Sequence, residues 1–110
     1  MAGIRGQRLA ATQVVADTDT LLYACDVAET EMTDLVICNT GSVSHTFRLA
    51  HIEGAIGTVS LEDYLEYDST IEANTTYIWP RSLYMLEDDT VMVRADHADV
   101  VFSARGLRSE

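Results

Sequence analysis

The sequence predicts an all-β fold: an antiparallel β-sandwich of seven or eight short strands in a single domain. Three observations lead there. Apolar and polar residues alternate at period two in the patterned segments, most plainly where Val91, Val93 and Ala95 face away from Met92, Arg94 and Asp96. Asn, Asp, Gly, Pro and Ser punctuate the chain about every ten residues, the rhythm of turns in a sandwich. No stretch demands a helix longer than one turn. A chain of 110 residues with 47% apolar content forms one domain with one modest core.

Taken in order, Met1–Gln13 is a Gly- and Arg-containing lead-in in which Arg8–Ala11 reads as a short edge strand at most. Such a segment is free or is ordered by a neighbour. Thr18–Cys25 is a strand with Leu21, Tyr23 and Cys25 on one face, and Asp26–Met32 is an acidic loop. Thr33–Asn39 and Ser44–His51, joined by Asn39-Thr40-Gly41-Ser42, read as an antiparallel hairpin around which the chain is organised. Its second strand places His45, Phe47, Leu49 and His51 on one face. Ile52–Ser60, with Gly54 and Gly57, is a flexible connection.

Leu61–Tyr67 alternates as a strand, with Leu61, Asp63, Leu65 and Tyr67 on one face, and Asp68–Asn74 is a turn-bearing link. Thr75–Trp79 is a strand stopped by Pro80, and Ser82–Leu86 continues it. Glu87-Asp88-Asp89 is a turn. Thr90–Asp96 and Val100–Leu107, reversing at His97-Ala98-Asp99, close the chain. The expected division is an N-terminal arm over 1–14, a sandwich over 15–107 and a C-terminal tail over 108–110.

Charge narrows the function classes. The chain has 18 acidic and 7 basic residues, a net charge of −11, and all its basic residues are Arg. Both ends are basic, with Arg5 and Arg8 near one terminus and Arg105 and Arg108 near the other. Between them, residues 11–102 hold seventeen acids against Arg48, Arg81 and Arg94. A body that acidic repels phosphate, so neither nucleic acid nor an anionic membrane is an expected partner. Met1–Gln13 lacks the apolar run of a signal peptide, and no apolar run is long enough to span a bilayer. Cys25 and Cys38 are too few for a disulfide framework and read as reduced, buried thiols of a cytosol-made protein; a bridge between adjacent strands is the minority reading.

Chemical motifs are scarce. His45 and His51 stand roughly 20 Å apart along one strand, too far to ligate one ion, and His97 lies in a turn. The acidic clusters at 26–31, 62–68 and 87–89 lack the calcium-loop pattern and read as solvated loops. There is no nucleophile elbow and no phosphate loop. No metal, cofactor or catalytic residue is expected, and the chain reads as a non-enzyme. Tyr64, Tyr67, Tyr77, Trp79 and Tyr84 could form an aromatic platform for sugars, although at strand spacing such residues more often fill cores and interfaces.

Three pieces of the chain, spanning roughly residues 15–107, together resemble a family of small all-β virion proteins of tailed bacteriophages. The first is Leu21–Cys25 with Leu35–Ala50, "LLYAC…LVICNTGSVSHTFRLA". The second is Tyr64–Asn74, "YLEYDSTIEAN", and the third is Leu86–Gly106, "LEDDTVMVRADHADVVFSARG". One departure is Glu87-Asp88-Asp89, where the family tends to place a glycine before the aspartate. The resemblance implies a sandwich or jelly roll without catalytic residues, made in the host bacterial cytoplasm and located on the virion. It implies a capsid decoration or cement protein that binds the major capsid protein and copies of itself, as a homodimer or homotrimer. A tail, neck or fibre component is the alternative within the same class, and a carbohydrate-binding module is the alternative outside it. Arg5, Arg8, Arg105 and Arg108 are the expected interface residues, because Arg without Lys suits fixed, bidentate contacts. Met1–Ala11 and Gly106–Glu110 are expected to order only on assembly.

Overall fold

Nine strands form two antiparallel sheets in a computed structural model that describes residues 4–54 and 59–109. They are β1 (Ile4–Gln13), β2 (Thr20–Ala24), β3 (Glu29–Asn39), β4 (His45–Ile52), β5 (Tyr64–Ile71), β6 (Thr75–Trp79), β7 (Leu83–Leu86), β8 (Thr90–Ala95) and β9 (Val100–Ser109). One sheet runs β1-β9-β3-β6, with β7 also on β3, and the other runs β2-β8-β4-β5. β6 and β7 pair with successive halves of β3, so Pro80 breaks a single strand position in two, and Ser82–Leu86 continues Thr75–Trp79 as expected.

The pairing has a simple logic. β1 pairs with β9, β2 with β8, β3 with β6 and β7, and β4 with β5, so the chain is one long antiparallel ribbon folded back between β4 and β5. Rolling that ribbon brings β3 against β9 and β4 against β8, which gives a jelly roll. The all-β sandwich expected from period-two patterning is the fold observed.

Its central hairpin is not. β3 and β4 lie in different sheets, so residues 40–44 form an arch across the end of the sandwich. The reversal at His97-Ala98-Asp99 is likewise an arch from β8 to β9. The physical cause is Asn39, which is fully buried. Its Nδ2 donates to Val43 O (2.8 Å) and Ile71 O (3.1 Å), and its Oδ1 accepts from Gly41 N (2.9 Å). A side chain that bonds its own backbone two residues on makes the turn, and the bond to Ile71 ties that turn to the end of β5. Thr40 N and Oγ1 both donate to Asp99 O (2.9 and 2.8 Å), so the two arches are stapled together.

The core lies between the sheets. Leu35 and Ile37 of β3, Phe47 and Leu49 of β4, Val91 and Val93 of β8, and Val100 and Phe102 of β9 are all buried in it. Two face assignments differ from simple alternation. The β2–β8 register shifts between Leu21 and Tyr23, so Leu22 and Tyr23 are both buried while Leu21 turns out. On β5, Leu65 and Tyr67 are exposed, and Glu66 turns toward the gap between the sheets to accept from Trp79 Nε1 (3.1 Å). A buried indole N–H needs an acceptor, and that need sets the register of this edge.

The N-terminal segment also differs from expectation. Ile4–Gln13 is not a free arm but an edge strand on the chain's own β9, which runs past residue 107 to Ser109. Without it the outer N–H and C=O groups of a ten-residue β9 would be unpaired, and the chain itself supplies their partner. Residues 1–3 and 110 of the expected arm and tail, and part of the Ile52–Ser60 connection, lie outside the described residues. Among the described residues no helix is long and apolar enough to cross a membrane.

Candidate interaction surface

Strand register builds the outer face of the β1-containing sheet row by row. One row reads Gln13, Val101, Cys38, Thr76, and the next reads Ala11, Ser103, Val36, Ile78. Then come Arg8, Arg105 and Asp34, followed by Leu107, Glu31 and Tyr84. Ile78 is 60% exposed and Tyr84 58%, with Leu86 and Leu107 exposed beside them. Alternation places these residues outward because their neighbours Tyr77, Trp79, Leu83 and Met85 turn inward against the core. Arg8, Ala11, Val36, Cys38 and Val101 line an open trough of about 440 Å³ along this face.

The four arginines divide into two register pairs on the β1–β9 ribbon, Arg5 opposite Arg108 and Arg8 opposite Arg105. Arg8 and Arg105 are brought together on the outer face, and both are exposed, while the Arg5 side chain lies outside the described residues. Like charges directly opposite on neighbouring strands repel, and among the described residues neither has a carboxylate within ion-pair distance. Arg108 is used differently: three residues along a strand reverses the face, and its guanidinium pairs with Asp26 in the β2–β3 loop.

Cys38 is half-buried in the trough rather than in the core, whereas Cys25 is buried; both are free thiols. The five aromatic residues do not form one platform. Trp79 and Tyr77 turn inward, Tyr84 sits on the outer face with its OH donating to Glu29 Oε2 (3.0 Å), and Tyr64 and Tyr67 lie on the opposite sheet. There Arg48 covers Tyr67, its guanidinium carbon 4.1 Å from the ring centre, while forking onto Asp68 through Nε (2.7 Å) and Nη2 (3.2 Å). The Asp68 pair raises the Arg48 pKa further above its ordinary value.

The acidic clusters are largely spoken for. Asp26 holds Arg108, Glu29 holds Tyr84, and Asp89 accepts from Gly54 N (2.9 Å) and Leu86 N (3.1 Å) with His51 at 3.4 Å. Burial raises the Asp89 pKa, and the two N–H donors and His51 outweigh it, holding the carboxyl below the usual range. His45 and His97, 52 residues apart in sequence, stack with ring centres 4.7 Å apart. Spacing along the chain carries no signal for that meeting, because it depends on two arches packing end to end. Comparisons with protein-family models, curated proteins and solved structures found no match to this chain.

Proposed function

We propose that this chain is a structural component of a tailed-phage particle, a decoration or cement protein that binds the outside of the major capsid shell as an oligomer. The reading rests on the resemblance of residues 15–107 to small phage virion proteins. The observation that carries it is the outer face of the β1-containing sheet. Four strand positions about 4.8 Å apart and ten residues long present on the order of 600 Å², close to what one partner gives to a standard interface. Its centre is apolar (Val36, Ile78, Val101), Tyr84 and Leu86 extend it, and Arg8 and Arg105 stand along one side. Aromatic and Arg residues around an apolar centre are the composition of contact surfaces. A partner carboxylate between Arg8 and Arg105 would turn a repulsion within the free chain into a bidentate attraction.

Two measurements test the reading. Stained gels of purified particles give the copy number: hundreds per particle fit decoration, a few per particle move the same surface to a tail, neck or fibre, and none ends the virion reading. Arg8→Glu is the matched variant. It places opposite charges across the β1–β9 pair, so the free protein gains up to about 1 kcal/mol while binding to shells lacking the wild-type protein falls at least tenfold. Undiminished binding by Arg8→Glu would remove this face from the interface.

A further inference from the structure

At the arch end of the sandwich the structure brings together side chains that strand spacing keeps apart. We propose that His45, His97 and Asp99 form a binding site for a borderline transition-metal ion, zinc being the reference case. His45 opens β4, while His97 and Asp99 belong to the β8–β9 arch. One ligand atom from each lies within 4.8 Å of the others. The inference does not depend on the virion reading.

The state of His45 is the central observation. Its ring is more than nine-tenths buried, and its Nδ1 lies 3.1 Å from Asp96 Oδ1. A carboxylate on one ring nitrogen takes the N–H there and leaves the lone pair on the other, the arrangement that supports metal-bound histidine. That other nitrogen, Nε2, is buried and has no hydrogen-bond partner among the described residues. A buried polar atom of this kind is costly unless it meets a donor or a cation. The ring stacked on it is that of His97, which is half-exposed in the turn.

Asp99 is fixed to the same place from two sides. Its N–H donates to His97 Nδ1 (3.0 Å), and its Oδ2 is 3.4 Å from the same nitrogen. Its carboxylate also occupies the volume that a Cβ on residue 41 would fill, so Gly41 is what admits it. Two imidazoles and one carboxylate suit zinc, cobalt or nickel and leave a fourth position open, while magnesium and calcium prefer all-oxygen sets. Ligand atoms on one zinc stand roughly 3.3 Å apart, so binding draws the three inward. His97, exposed on a short arch, supplies that movement by turning its ring. The bound ion ties the start of β4 to the β8–β9 arch and stabilises the folded state by mass action.

The test uses the untagged full-length protein, freed of metal with a chelator and titrated with zinc chloride by calorimetry, with thermal unfolding in parallel. We expect one zinc per chain and a rise in Tm that the chelator reverses. His97→Gln, an exposed change that leaves the core intact, abolishes both effects. Asp96→Asn, a positioning change, weakens binding by about 10–100-fold without altering stoichiometry. His51→Gln, on the same strand but near Asp89 at the other end, changes neither. Magnesium and calcium chloride give no effect. Absence of heat and Tm shift at millimolar zinc, or zinc binding that survives His97→Gln, or loss of binding in His51→Gln, overturns the proposal.

Discussion

Asn39→Ala is the sharpest test of how the sandwich is closed. The side chain makes three hydrogen bonds, to Val43 O, Ile71 O and Gly41 N, from a position with no exposed surface. At about 1 kcal/mol net per bond the truncation removes roughly 3 kcal/mol. Solvent can reach the arch side of the network and replace part of that loss, but the bond to Ile71 O is buried and its acceptor keeps a desolvation penalty of about 1–3 kcal/mol. The net expectation is therefore a loss of about 3 kcal/mol, against a total of roughly 5–15 kcal/mol for a domain of this kind. Urea unfolding followed by Trp79 fluorescence should show the midpoint falling by about 2 M with an unchanged slope of roughly 1.5 kcal/mol/M. Thr40→Ala, which removes one exposed bond to Asp99 O, should cost no more than about 0.5 kcal/mol. Asn39→Asp adds a check on sign. It keeps an acceptor for Gly41 N but faces two carbonyls, so it is tolerated only when protonated and should lose stability as pH rises. If Asn39→Ala costs no more than Thr40→Ala, the buried amide is not what holds the arch.

Three further outcomes follow from backbone and charge. A Cβ at Gly106 would overlap Glu31 O and stand 2.9 Å from Met32 Cα, both of the paired strand β3, so Gly106→Ala should cost about 3 kcal/mol and lower Tm by 10 °C or more. Asp88 has φ 76°, in the left-handed region, so Asp88→Gly should raise the urea midpoint, with a gain of about 0.5–1 kcal/mol. Asp89 has a folded pKa below its unfolded value near about 3.9, so its contribution is present above that pH and is lost as pH falls through the lower folded pKa. Asp89→Asn should cost about 2 kcal/mol at neutral pH and flatten the acid limb of a stability–pH profile; an unchanged acid limb would remove Asp89 from the account.

What the sequence made legible was everything that period two can encode. Val91, Val93 and Ala95 are buried as their alternation requires, whereas two expected loops run into strands, Glu29–Met32 into β3 and Asp68–Ile71 into β5, because acidic and Ser/Thr residues on an outward face read as turn residues. Turn chemistry, however, says that the chain reverses and not which strand it meets next. Asn39-Thr40-Gly41-Ser42 carries the same residues whether it closes a hairpin or arches between sheets, and only the distant partner Ile71 decides. The same limit applies to β5, where Glu66 and not Leu65 turns inward because Trp79, thirteen residues on, needs an acceptor. The left-handed Asp88 was visible in part, since the resembling family tends to place a glycine just before the aspartate of that turn. The meeting of His45 with His97 had no local signal at all.

The β1–β9 ribbon shows why stability alone does not account for this surface. On the outer face the register places Arg8 opposite Arg105, although a single Glu on either strand would turn that repulsion into an ion pair. At Arg108 the chain supplies its own counter-charge in Asp26, which shows that the sequence can neutralise an arginine where the fold requires it. At Arg8 and Arg105 the pair stays exposed beside an apolar trough, with Asp34 in register next to Arg105 on β3 but outside ion-pair distance, and Arg8 on the outer edge without a carboxylate in ion-pair distance among the described residues. An acidic partner seated on the trough would gain two forked contacts and the burial of Val36 and Val101 together, so charge and apolar area favour the same docked state.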